Sequence, residues 1–395
     1  MPLSWVLRPW LGNCKMSMRR ALLMGALAVA GALFLSCRQD ETRIEEQLKQ
    51  MTLEEKVGQL FCLRPESLDP AIQYQDASQL PQFALQEVND HMREMAARYP
   101  VGGIILFAHN IKDPEQLARF QADLRALPGA PLLYVDEEGG RVARLANNPA
   151  FNLPKYENMT VFHNPREVRE AAFTIGSYLS RYGFDVDFAP VADVNTNPEN
   201  IVIGTRAFSD KPKVAAKMVR AYVKGLHKAG VQSCLKHFPG HGDTQADTHF
   251  GYAVTHKNWA EMASCEMLPF KAGIAAGADL VMSAHISAPA VTGTEIPSTL
   301  SPVILQDKLR GELGFQGVIV TDAMEMGAIT REFAVDEACV LALQAGVDLL
   351  LCVKDYPKCF EAVLAAVADG RLSEERIDES VRRLLILRSH TKKSL

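Results

Sequence analysis

The segment from Lys236 to His249, KHFPGHGDTQADTH, gathers one lysine, three histidines and two aspartates into fourteen residues. Pro239, Gly240 and Gly242 give it a sharp path, and Asp247 lies two residues before His249. In an extended segment side chains at i and i+2 share a face, so Asp247 can accept a hydrogen bond from one ring nitrogen of His249. The other nitrogen is then left to trade a proton. A metal site is the rival reading, with His237, His241 and His249 joined by Asp243 or Asp247 as zinc ligands. Lys236 in the same loop opposes it, because a cation is repelled by a metal centre. His241 also fits a purely structural part in holding the loop together. The second chemical signal is Asp322 in VIVTDAMEM, which follows the apolar run GVIV and Thr321 and is set to leave a strand end. A lone aspartate there is by default a salt-bridge partner. Glu325, three residues on, reads as a solvated or helix-capping group.

Eight short apolar runs position these residues: 58–63, 101–107, 131–135, 184–191, 231–237, 279–285, 317–322 and 347–353. Stretches of helical periodicity separate them, including 259–277 and 323–346. Eight buried strands alternating with helices predict a (β/α)8 TIM barrel, an α/β fold, ahead of an open doubly wound sheet. A Thr52-x-x-Glu55 capping box starts the helix before the first strand. The link 64–100 is long, carries a predicted helix at 83–98, and is expected to cover part of the barrel mouth. In such a barrel the site is built at the C-terminal strand ends. The polar residues falling there are Asp136 and Arg144 in DEEGGRVAR after the third strand, Asp193 and Asn195 after the fourth, and Arg206 in IGTRAFS. Lys236 and His237 follow the fifth strand, His285 the sixth and Asp322 the seventh.

Of 395 residues, 48% are hydrophobic and 23% charged, an ordinary globular composition that excludes collagen-like, low-complexity and wholly disordered chains. The formal net charge is −5, and the first 36 residues carry four cations and no acid, so the remainder is more acidic still. A phosphate backbone is repelled by such a body, which removes nucleic acid as a partner. Ala21 to Leu35 is an unbroken run without polar side chains, preceded by Arg19 and Arg20 and followed by Ser36-Cys37. It is too short for an ordinary span and reads as a secretion signal over residues 1–37, with Cys37 as a lipid-attachment cysteine. Export to the periplasm or cell envelope follows, with the membrane touched only through that anchor. Translation can equally start at Met16 or Met18. The barrel domain is expected over 44–395. The eight cysteines show no metal-ligand spacing, and Cys62, Cys234 and Cys352 sit in apolar runs as buried free thiols.

The motifs MTLEEKVGQL, GGIILF, DEEGGRV, FAPVADVNTNPEN, GTRAFS, KHFPGHGDTQADTH and VTDAMEM, in this order over roughly 44–352, resemble the single-barrel β-N-acetylhexosaminidases of glycoside hydrolase family 3. The resemblance implies a retaining exo-acting glycosidase that needs no cofactor. By it, Asp322 is the nucleophile that forms a glycosyl-enzyme ester, His249 the acid/base and Asp247 its orienting partner. The same matching gives Asp136, Arg144, Arg206, Lys236 and His237 the task of holding the hydroxyls of the reacting sugar, and adds Arg141 as a weaker member that can instead serve the loop. Implied substrates are N-acetylglucosamine oligosaccharides or muropeptides. A β-N-acetylglucosaminide phosphorylase, a β-glucosidase of the same family and an inactive sugar-binding lipoprotein are the alternatives at this stage.

Overall fold

The computed structural model describes residues 41–74, 77–246 and 253–391. The signal run, Cys37, Asp247 and His249 lie outside them. Residues 41–50 form a helix in a unit separate from the one that begins at Met51.

In the second unit, Thr52 closes the expected capping box: its Oγ1 accepts the Glu55 N–H at 3.2 Å, and Glu55 Oε2 accepts the Thr52 N–H at 2.9 Å. Helix α1 (Leu53–Gln59) then delivers the chain into strand β1 (Phe61–Leu63). Seven more strands follow in chain order: β2 (Gly103–Leu106), β3 (Leu132–Val135), β4 (Val186–Asp187), β5 (Gln232–Phe238), β6 (Leu280–Ser283), β7 (Val318–Thr321) and β8 (Leu350–Leu351). All eight expected strands are present. Their residues are buried throughout, as parallel strands covered on both faces require. Neighbours in sequence are neighbours in space and pair in parallel from β1 to β7, and β8 pairs with β1 through Phe61–Leu350 and Cys62–Leu351. A parallel bridge between Val320 and Leu349 joins β7 to the entry of β8, which completes the ring. The fold is the (β/α)8 barrel, and the open sheet is excluded.

Each strand is followed by a helical segment on the outside. After β1 to β5 these are α2 (Asp90–Arg98), α3 (Pro114–Arg125), α4 (Pro165–Arg181), α5 (Pro212–Lys228) and α6 (Met267–Ile274). A π-helical segment, Val303–Glu312, follows β6; α7 (Val335–Ala345) follows β7, and α8 (Tyr356–Ala368) and α9 (Glu374–Thr391) follow β8. Proline opens α3, α4 and α5, where its missing N–H costs nothing. Helices α4 and α5 lie unusually close because Gly176 and Gly225 face each other's helix: a Cβ on Gly225 would fall 2.6 Å from Ala172 Cβ.

The helix expected at 83–98 begins only at Asp90, capped by Asn89, whose Oδ1 takes the Met92 N–H. The residues before it cannot join because side chains claim their backbone. Glu66 Oε1 takes the Leu85 N–H, Asn110 Nδ2 donates to the Leu85 carbonyl, and Gln116 Nε2 donates to that of Gln86. The helical stretch 259–277 is broken at Cys265 and the stretch 323–346 is broken between Thr330 and Val335. Cys62, Cys234 and Cys352 are buried free thiols, as expected. Burial pushes the Cys62 and Cys234 thiols well up, so they are inert.

Candidate active site

The loop after β3 is shaped by Glu137, which is fully buried. Its carboxylate accepts the N–H groups of Arg144, Leu145 and Ala146 and the hydroxyl of Tyr178. That turn carries Asp136 and Glu138 to the two sides of Lys236, which emerges from β5. Lys236 Nζ lies 2.8 Å from Asp136 Oδ1 and 2.6 Å from Glu138 Oε1, and the residue is 2% exposed. Asp136 also receives Arg144 Nη2 at 3.1 Å. Glu138 is gripped in a two-pronged contact by Arg206, with Nη2 at 2.7 Å and Nε at 2.9 Å. Burial alone would push the Asp136 carboxyl up, but Lys236 and Arg144 hold it well below the usual carboxylate range. For Lys236, burial works against the cation and the two carboxylates overcome it, raising its value.

His237, next on β5, is oriented from behind. Its Nδ1 faces Asp193 Oδ2 at 2.7 Å, and Arg206 Nη2 stands 3.2 Å from its Nε2. With Nδ1–H donated to the carboxylate, Nε2 is the acceptor for the guanidinium. Asp193 also takes the backbone N–H of His241, whose ring meets that of His237 edge-on. Burial, foremost, lowers the His241 value. The zinc arrangement does not form on the described members of the set. Both nitrogens of His237 are engaged and one faces a guanidinium, His241 Nδ1 is bonded to Thr244 Oγ1, and Asp243 is paired with Thr196 and Lys257.

Asp322 leaves the end of β7. Its backbone N–H goes to the Ser283 carbonyl at 2.9 Å, and its Oδ1 accepts the Ala323 N–H at 2.8 Å. The Ala323 carbonyl lies 3.0 Å from Nε2 of His285, at the end of β6, and Thr299 Oγ1 lies 2.9 Å from its Nδ1. The acceptor carbonyl fixes the proton on Nε2. Burial raises the Asp322 value, but His237, His285, the Ala323 amide and Lys236 outweigh it, so the group is an anion held below its ordinary value. Among the described residues its carboxylate makes no ion pair, contrary to the salt-bridge default.

These side chains face one cavity of about 310 Å³. Asp136, Arg144, Arg206, Lys236, His237 and Asp322 all line it, with apolar walls from Ile105, Phe107, Val142 and Leu351. Asn195 is not among its lining residues. Two charged members were not singled out from sequence. Glu138 is the carboxylate two residues after Asp136, and the period-2 spacing in DEEGG was its signal. Arg64, at the end of β1, stacks 3.8 Å over the Phe107 ring and binds Glu325 through Nε at 2.7 Å. Glu325 is therefore not solvated: its side chain is 4% exposed and also accepts the Tyr74 hydroxyl at 2.8 Å. Arg141 serves the loop, donating to the carbonyls of Ile201 and Val202.

A barrel with a basic and carboxylate lattice around an unpaired strand-end aspartate is one geometry, and the family comparison gives it a lineage. Residues 52–387 match the model of the glycosyl hydrolase family 3 N terminal domain. The chain belongs to glycosyl hydrolase family 3. Within the family, it is 35% identical over 337 residues to β-hexosaminidase A of Pseudoalteromonas piscicida, covering 78% of this chain and 56% of that one. It is 36% identical over 294 residues to a β-hexosaminidase of Stenotrophomonas maltophilia, covering 73% and 86%. Among solved structures, the family 3 β-N-acetylglucosaminidase of Paenibacillus sp. FPU-7 superposes with a TM-score of 0.78 at 38% identity, over 87% of this chain and 63% of that one. The chain thus spans a little over half of the first of these relatives and most of the second.

Proposed function

We propose that this family 3 protein is a retaining exo-β-N-acetylhexosaminidase that removes terminal β-linked N-acetylglucosamine. The observation that carries the reading is the contrast between Asp136, saturated by Lys236 and Arg144, and Asp322, an anion facing the same cavity with no cation bonded to it among the described residues. A nucleophile needs that freedom. In this reading Asp322 attacks the anomeric carbon and forms a glycosyl ester, which water then hydrolyses. His249, oriented and tuned by Asp247, protonates the leaving oxygen in the first step and takes a proton from water in the second. An imidazole avoids setting a second anion beside Asp322. Asp136, Arg144, Arg206, Lys236 and His237 bind the hydroxyls of the sugar as charge-assisted partners whose bonds strengthen as charge develops at the ring. The names of the two curated relatives and of the Paenibacillus enzyme support the substrate class.

The reading includes export, with residues 1–37 as signal and Cys37 as lipid anchor, so that cell-wall fragments or other glycans outside the cytoplasm supply the substrate. The experiment is hydrolysis of 4-nitrophenyl N-acetyl-β-glucosaminide with and without phosphate, following the first anomer by proton NMR. Release of β-N-acetylglucosamine independent of phosphate is expected. The α anomer first refutes retention, and a sugar phosphate product refutes hydrolysis.

A further inference from the structure

Isoleucine 201 is 83% exposed and Val202 50% exposed, yet the loop that carries them is firmly tied. Arg141 Nη2 reaches the Ile201 carbonyl at 2.9 Å and also that of Val202. Arg206 Nη1 takes the Val202 carbonyl at 3.1 Å while its other nitrogens hold Glu138 in the sugar cavity. Asn200 accepts the Ile203 N–H at 2.9 Å and donates to the His241 carbonyl at 2.7 Å. Two aliphatic side chains are thus held out in water by guanidinium and amide contacts to the backbone of their loop. Exposed apolar groups on a fixed backbone call for a binding explanation.

Beside them lies a second cavity of about 240 Å³. It shares two walls with the sugar cavity, Val202 and His241, so the two are neighbours. Its remaining lining includes Ile201, Glu199, Thr244 and Ala253. The last two matter for position. The backbone pairs Gln245 with Val254 and Ala246 with Ala253, and the Asp247-x-His249 pair occupies the link between those paired residues. Thr244 immediately precedes that pairing and Ala253 belongs to it, and the proposed acid/base lies between them in the sequence.

We propose that this second cavity is the subsite for the leaving group, and that the leaving group is a neutral pyranose of an oligosaccharide. A pyranose has one face of C–H groups and a rim of hydroxyls. The face suits Ile201 and Val202, and the rim suits the Glu199 carboxylate as acceptor. Glu199 also sets the charge: a phosphorylated or carboxylated leaving group meets an anion here. Arg206 spans both subsites, so it couples the position of the platform to that of the bound sugar.

The inference rests on the hydrolase reading, and the test separates them. The probes are N,N′-diacetylchitobiose, 4-nitrophenyl N-acetyl-β-glucosaminide and N-acetyl-β-glucosaminyl fluoride, which has no leaving ring. Failure of the wild-type enzyme on the fluoride overturns the hydrolase reading and this inference with it. For Ile201→Ser, the ratio of kcat/KM for the disaccharide to that for the fluoride falls about tenfold. Glu199→Gln lowers the disaccharide ratio severalfold and leaves the nitrophenyl ratio in place. Both residues are exposed, so folding is not at stake. A disaccharide ratio unchanged in Ile201→Ser overturns the subsite, and equal effects of Glu199→Gln on the disaccharide and nitrophenyl ratios overturn the pyranose assignment.

Discussion

The barrel carries buried charge at both ends, and the two ends use it differently. At the N-terminal floor, Asp185, Asp279 and Asp348 stand at the entries of β4, β6 and β8. Each sends a carboxylate oxygen to the N–H of the second residue of the preceding strand: Leu133 at 2.8 Å, Ser233 at 2.9 Å and Ile319 at 2.9 Å. Each also has a basic side chain, the Arg125 guanidinium for Asp185 and the His227 ring for Asp279. Asp348, fully buried, has Arg310, Arg376 and Arg383, with Ser380 on the same oxygen as Arg383. Each floor carboxylate is spent on a strand N–H and a basic side chain. At the C-terminal rim the same residue types line an open cavity with capacity to spare. Among the described residues Asp322 has no bonded cation and Arg144 Nε is buried without a hydrogen-bond partner. Unused polar capacity facing a cavity, rather than buried charge itself, separates chemistry from scaffolding here.

The sharpest way to break this comparison is to exchange the effects. Asp322→Asn is expected to lower kcat by about 10³-fold or more, with the urea unfolding midpoint unchanged or slightly raised. A midpoint that drops with modest loss of activity would make Asp322 scaffolding. At the floor, Asp348→Ala leaves three guanidinium groups around an empty carboxylate position. It is expected to cost about 3–5 kcal/mol of stability in denaturant titrations, while the folded fraction keeps its kcat. Between them stands Glu138→Gln, which removes the anion from between Lys236 and Arg206. Here kcat/KM should fall by roughly 30-fold, about 2 kcal/mol, with a smaller loss of stability than at Asp348.

The smallest effect is a pH dependence that belongs to the rim. Burial lowers the folded-state values of His285 and His241 below the ordinary histidine value of 6.5. As pH falls, the unfolded chain therefore takes up these protons first. The stability associated with keeping the rings neutral is complete above about pH 6.5 and is lost as pH passes down through the folded values. Unfolding free energy should rise with pH up to about 6.5, and His285→Asn should flatten part of that rise. No change in slope would mean that His285 already carries its proton in the folded protein.

Much of this was legible in the sequence, for physical reasons. Strands buried on both faces write themselves as continuous apolar runs, so all eight could be located. Six of the polar residues after them, Asp136, Arg144, Arg206, Lys236, His237 and Asp322, fall into one cavity because a barrel gathers its strand ends, whereas Asp193, Asn195 and His285 do not line it. The floor aspartates were visible in the same runs, in FDVD, ADLV and VDLL, but nothing local says which backbone N–H they will claim. Glu325 misled because its partners Arg64 and Tyr74 are about 260 and 250 residues away in the chain, and a solvated glutamate has the same local signature. The 83–98 helix was placed too early because the side chains that claim the backbone of Leu85 and Gln86, from Glu66, Asn110 and Gln116, come from other loops. Periodicity reads neighbours along the chain; these contacts are made across it.

The central claim is that the unpaired aspartate at the rim becomes an ester. It is tested by incubating the protein with 2-acetamido-2,5-dideoxy-5-fluoro-β-glucosyl fluoride, digesting with a protease, and locating the modified peptide by tandem mass spectrometry. The account predicts a single adduct on Asp322, displaced slowly by water. An adduct on Asp136 or Glu138, or turnover with no covalent species at any time, contradicts it.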